Sequence, residues 1–265
     1  MRRHPAEDVK VQSNPKENGA AWRYYKNCNI IPLGGVVTGQ DLKSGRERKG
    51  WTQQDSALKL GVSQPYLSLL EKGERRVPEK LARKAAAAYG LSAATLPLET
   101  SLEQVQPQGG EVLAVELASL GYPGFAHLKS KRKKNPAEVV LAALSSRSLE
   151  ARVVEALPWV LLKYPELDWQ SLVNAAKVKD LQNKLGFVIS LARRVAENRG
   201  DESVAELLRR QEKSLESSRL VLEDTLGNAS LSQAERGWLK TNRPAEAKHW
   251  RVLTDLSPDH LSHAY

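Results

Sequence analysis

The chain has 265 residues, 41% of them hydrophobic, and its 40 Lys and Arg against 31 Asp and Glu leave a formal net charge of +9. That length allows two domains of ordinary globular composition. The single cysteine, Cys28, excludes an internal disulfide and fits a reducing cytosol, no apolar run approaches the ~20 residues of a membrane span, and MRRHPAEDVK lacks the apolar core of a secretory signal.

Residues 1 to about 20 are polar and broken by Pro5, Asn14-Pro15 and Asn18-Gly19, as in a flexible leader. The next stretch, AWRYYKNCNIIPLGGVV, carries Trp22, Tyr24, Tyr25, Ile30 and Ile31, too apolar for a free tail. It reads as a short strand or docked segment before the Gly34-Gly35 turn; alternatively Arg23, Lys26 and the aromatics form an arm that wraps DNA. Gly34 to Gln40 imitates a phosphate-binding loop, but the lysine and the Ser/Thr are missing. Residues 1–37 are thus taken as a partly ordered leader.

Trp51 to Glu71, WTQQDSALKLGVSQPYLSLLE, reads as two short helices across a tight turn. Thr52 can cap the first, with Asp55 at the capping-box position. Ala57 and Leu60 share a face, Gly61 ends the helix and Val62 follows as a buried turn residue. Ser63 caps the second helix, and Pro65 is tolerated in the first turn, where no backbone donor is needed. Leu67 and Leu70 make its inner face. Gln64, Tyr66 and Ser68 make the outer one, with uncharged polar groups suited to base edges in a major groove.

Gly39 to Ser92 resembles the Cro/C1 (XRE) family of bacterial and phage repressors, over about a fifth of the chain. The resemblance rests on Arg46-x-x-x-Gly50-x-Thr52-Gln53, on Leu60-Gly61-Val62-Ser63 and on Leu69-Leu70-Glu71-Lys72-Gly73. It implies a five-helix, lambda-repressor-like domain, usually dimeric on DNA, with its third helix in the major groove. It further implies that Gln53 grips a phosphate and Gln64 reads a base, with Pro65, Tyr66 and Ser68 at neighbouring reading positions. Leu69 departs from a polar residue and Gly45 from a core aliphatic one. A helical glycine costs ~1 kcal/mol, and Trp51 is the candidate to fill the space.

The charge distribution agrees with this placement. Residues 38–90 hold eleven Lys/Arg and six Asp/Glu, a surplus of five, whereas residues 101–265 hold 23 against 21. Basic surface collects on the half that would neutralise phosphates. Arg75 and Arg76, in the loop after the second helix of the motif, are the favoured backbone clamps. Lys43, Arg46, Lys49, Lys72 and Thr52 are further candidates.

Pro78 opens a fourth helix with Leu81, Ala85 and Ala88 inside. Residues 95–110, TLPLETSLEQVQPQGG, read as the linker, bounding a 38–94 domain from a second one over 111–265. This second half reads all-α, without strand alternation. Its predicted elements are EVLAVELASL (Val112, Val115, Leu120) stopped by Gly121; NPAEVVLAALSS capped by Asn135; SLEARVVEALPWVLLKYP with Pro158 as a kink; a long segment from Asp168, bent or broken near Leu185-Gly186; and an amphipathic helix with Leu207, Leu208, Leu215 and Leu222 ending on Gly227. The tail residues Trp250, Leu253, Leu256 and Leu261 could lie on another chain. Lys129 to Lys134, KSKRKK, is a phosphate anchor, a patch for an acidic partner or a solvated loop.

No metal or cofactor site is expected: the five histidines are scattered, and His260 and His263 lack a third ligand. RPAEAKH, Arg243 to His249, resembles the Arg-x5-His motif of HEPN-type ribonucleases, with Pro244 in place of a polar residue. The expectation is a non-enzymatic, cytoplasmic, sequence-specific regulator of transcription, a homodimeric repressor on a double-stranded operator. For residues 111–265 the alternatives are a protein partner, as in two-domain antitoxins that hold a toxin, dimerisation, ligand sensing or ribonuclease activity.

Overall fold

The computed structural model describes residues 37–128, 132–261 and 263. The leader, the Gly34-Gly35 turn, the candidate DNA-wrapping arm and the first half of the KSKRKK run lie outside them. Among the described residues the fold is mainly helical, with twelve α-helices, and none is long and apolar enough to cross a membrane.

Four helices enclose the first core: α1 (Gly39–Arg48), α2 (Gln53–Leu60), α3 (Gln64–Glu71) and α4 (Glu79–Tyr89). The local chemistry sets their ends. Thr52 and Asp55 close a reciprocal capping box, Ser63 Oγ accepts from the Tyr66 amide, and Pro65 sits in the first turn of α3. Gly61 takes φ +69°, a left-handed conformation that glycine adopts without strain, and so turns the chain between α2 and α3. Val37, Leu42, Ala57, Leu60, Leu67, Leu70, Leu81 and Ala85 fill the interior. The fifth helical element is a single 3-10 turn, Ala93–Thr95.

Gly45 proves to be a close-approach position. A Cβ there would lie 2.8 Å from Tyr89 Cδ2 and 3.1 Å from Leu91 Cδ2, so Tyr89 and Leu91 occupy the space expected for Trp51. Trp51 packs against Tyr89 in a tilted pair, ring centroids 5.9 Å apart. Tyr89 shares a buried hydrogen bond of 2.8 Å with Ser56.

Residues 95–110 are packed against the second half. Leu96, Leu102 and Val105 are buried in the second core, which already includes Ala93 and Ala94. Asn135 caps α6 (Pro136–Ser145) and donates to the carbonyls of Ala94 at 3.0 Å and Leu96 at 2.7 Å. The Glu138 carboxylate accepts from the Glu99 and Thr100 amides. From the first half, Arg83 reaches the Pro97 carbonyl at 3.2 Å.

The second core surrounds α9 (Gln182–Arg199), whose first eleven residues are all buried. Around it lie α5 (Gly110–Leu120), α6, α7 (Ala151–Lys163), α8 (Trp169–Val178) and α10 (Glu202–Glu216). α5 turns Leu113, Leu117 and Leu120 inward and leaves Val112 half-exposed. Pro158 lies inside α7, which remains continuous. The predicted long helix is two, α8 and α9, and the break falls at Lys179–Leu181, where Asp180 has φ +56°. Gly186 is no break: a Cβ there would come within 2.5 Å of the Trp250 ring, which lies flat against α9.

Two expectations are corrected here. The amphipathic helix stops at Glu216 rather than Gly227, because the Asn183 amide accepts from the Leu220 N–H at 2.8 Å and donates to its carbonyl at 3.0 Å. That clamp holds the chain off the helical path and leaves Leu222 82% exposed. The tail does not await another chain either: Trp250, Leu253, Leu256 and Leu261 are all buried in this one. α11 (Gln233–Asn242) and α12 (Ala245–His249) carry the chain back. A two-residue parallel pair then joins β1 (Asp224–Thr225) to β2 (Val252–Leu253), a strand pairing too short for sequence alternation to announce.

Candidate nucleic-acid interface

The reading face of α3 is held by a chain of side chains anchored in the first core. The Glu71 carboxylate, 3% exposed, receives Arg46 Nε at 2.7 Å and Arg46 Nη2 at 3.1 Å. It also accepts from Gln53 Nε2 at 2.8 Å. A carboxylate only accepts, so the Gln53 amide must turn its NH2 inward and its oxygen outward. That oxygen then receives Gln64 Nε2 at 2.8 Å. Gln64 itself is exposed, and its amide makes no other side-chain hydrogen bond among the described residues.

Arg46 is therefore not placed as a phosphate clamp. Its remaining nitrogen donates to the Trp51 carbonyl at 3.0 Å, and its side chain is only 12% exposed. The paired carboxylate holds its pKa above the ordinary guanidinium value, chiefly through the hydrogen bond to Glu71. It ties α1 to the end of α3. Glu71, whose role the sequence reading missed, is the hub. The pair is 25 residues apart in the chain, so no helical periodicity links them.

The other candidates fall as follows. Thr52 is spent on the cap of α2, and its hydroxyl and N–H hold the Asp55 carboxyl below its ordinary pKa. Gln53 opens α2, where Thr52 caps the Asp55 N–H and leaves the Gln53 and Gln54 N–H groups without a side-chain cap. Pro65 is exposed, Tyr66 and Ser68 are half-buried, and Leu69 is half-buried beside them. Lys43, Lys49, Lys72, Arg75 and Arg76 are exposed. Arg75 stands over the Tyr66 ring, its guanidinium carbon 5.9 Å from the centroid.

Two of the three described residues of the basic run are tied to carboxylates. Arg132 lies 3.1 Å from Glu99, and Lys134 lies 2.5 Å from Glu116. In the HEPN-like motif, Arg243 is 9% exposed and pairs with Glu223 at 2.5 Å, while His249 pairs with Glu216 at 2.9 Å. Among the described residues no group of three His, Cys, Asp or Glu could hold a metal ion.

Residues 42–96 match the family model described as helix-turn-helix, of the Cro/C1 (XRE) type. No match was found among curated proteins or among solved structures.

Proposed function

We propose, from the premise that residues 42–96 form a DNA-binding helix-turn-helix domain of the Cro/C1 type, that the chain is a sequence-specific transcriptional regulator acting as a dimeric repressor. The observation that carries the specificity is the chain Glu71–Gln53–Gln64, which orients the exposed Gln64 amide before DNA arrives. One free N–H and one free carbonyl on the same amide match N7 and the N6 amino group of adenine in the major groove. Gln53 and the first turn of α2 would hold one phosphate, and Arg75, Arg76, Lys72 and Lys43 others, fixing register without reading sequence. Occupancy of the operator by two copies would exclude polymerase. We assign no catalytic residue: Arg243 is engaged within its own chain.

Selection from a random duplex library tests this reading. Two half-sites related by a two-fold axis, about one helical turn apart, are the expected product, each with an adenine whose replacement removes the advantage of Gln64 over Ala. Enrichment of no sequence, or of a site without symmetry, would refute sequence-specific dimeric binding.

A second reading, an autoregulating antitoxin that holds a toxin through residues 111–265, is supported by Val221 and Leu222, which are 77% and 82% exposed on the turn pinned by Asn183. Copurification of a stoichiometric protein after nuclease treatment, lost in Leu222→Ser, is its expected outcome. Retention of only DNA would remove it.

A further inference from the structure

A cleft lies far along the chain from α3, between the start of α7, the loop after β1, α11 and the loop after β2. It measures about 770 Å³, within the ~300–1,000 Å³ of small-molecule sites. Its floor is apolar: Val154, Leu226, Leu239, Leu253 and Leu256 are buried. Its rim carries Trp238, 56% exposed on α11.

The electrostatics of this cleft run against the rest of the chain. Glu155, Glu235 and Asp255 line it, together with His260, and no Lys or Arg does, although the chain holds 40 of them. One oxygen of Glu235 accepts from the Ser232 N–H at the start of α11. Among the described residues Glu155, Asp255 and Glu235 form no salt bridge, whereas Glu223, Glu216 and Glu246 all do. An apolar floor, an exposed indole face and unneutralised carboxylates are together the complement of one ligand class. Apolar surface removes the body of such a ligand from water, and the ring face and carboxylates attract its charge. The same field repels a nucleic acid backbone.

We infer that this cleft binds a small organic cation with an apolar body, an amine or quaternary ammonium compound, seated on the leucine floor with its charge between Trp238 and the carboxylates. The binding stands independently of the operator reading, because it uses no residue of the helix-turn-helix.

The full chain would be titrated by calorimetry with (1-naphthylmethyl)trimethylammonium and, in parallel, with 1-naphthalenesulfonate, which shares the ring and reverses the charge. Saturable one-to-one binding of the cation, with the anion at least about tenfold weaker, is the expected result. Trp238→Ala, at an exposed position that threatens no core, should weaken the cation about threefold to fivefold. The double variant Glu155→Gln, Asp255→Asn, which leaves only Glu235, should cut the preference for the cation severalfold while leaving the melting temperature in place. Equal binding of the two probes, no binding of either, or an unchanged preference in the double variant would overturn the assignment. If an unmodified basic peptide bound the cleft while the naphthyl cation did not, the surface would be a protein-docking site and the proposal would be wrong.

Discussion

At residue scale the reading face stands on Glu71. Removing the carboxylate that receives two nitrogens of a largely buried guanidinium leaves Arg46 only the more distant, exposed Glu47 at 3.6 Å, at a cost of about 2 kcal/mol or more. Glu71→Ala is therefore expected to lower the midpoint of chemical unfolding and, by freeing Gln53 and Gln64, to blunt base discrimination as well. Unfolding with unchanged m-value and binding to single-base operator variants would measure the two effects on one preparation. Gln64→Ala should cost ~1–3 kcal/mol at one base position and leave stability in place, whereas Arg76→Ala should weaken every sequence alike and reduce the salt slope by about one. An Arg76 effect confined to one base would reverse that assignment. The outward placement of Gln64 and Pro65 was legible in the sequence, because the Ser63 cap fixes where the helix starts and Leu67 and Leu70 fix its inner stripe, whereas Tyr66 and Ser68 are half-buried. The bond from Gln53 to Gln64 was not, because it depends on how α2 crosses α3.

At the scale of elements, close approach decides more than propensity. Gly45 looks like a weakness in α1, since a helical glycine costs ~1 kcal/mol. The structure shows it as the place where Tyr89 and Leu91 come within contact of the α1 backbone. Gly186 does the same for Trp250 on α9. Gly186→Ala should overpack the centre of the second core, where each such insertion costs about 1–3 kcal/mol, despite the better helix propensity of alanine. A thermal melt tests it: a higher midpoint for Gly186→Ala would show that Trp250 moves aside freely. Helix starts were readable from Thr52, Ser63 and Asn135, whose side chains cap locally. The end of α10 was not, because the Asn183 clamp that ends it comes from another helix.

Over the whole molecule, the junction between the two cores is built rather than slack. Asn135 caps α6 and holds two carbonyls of the 94–96 segment, so Asn135→Ala should cost about 2 kcal/mol or more from the lost cap and two buried carbonyls left without a donor. Limited proteolysis should then cut between 95 and 110, a segment expected to resist in the unaltered chain. Alkali probes the second core. Burial pushes the Tyr122 and Tyr164 hydroxyls up to about 12, and Tyr164 donates to the Leu120 carbonyl at 2.7 Å. Both stay neutral in the folded chain while an unfolded tyrosine ionises near 10. Their contribution is full below about pH 10 and is lost as pH rises towards about 12. The melting temperature should accordingly fall across that window, and less so in Tyr164→Phe, whose neutral-pH stability is already lower by the missing hydrogen bond.

Local sequence by itself determined the helix-turn-helix, because each of its signals acts within a few residues: a cap and its box, a left-handed glycine, leucines three apart. It likewise marked the second half as helical. Only the tertiary structure decided that Arg46 serves Glu71, that residues 95–110 join the second core, and that the apolar tail is covered by its own chain. Each of these depends on partners far apart in sequence, whose meeting is set by packing and leaves no periodic trace. The acidic cleft belongs with them, since its carboxylates come from residues 155, 235 and 255 and converge only when α7, α11 and the loop after β2 are brought together.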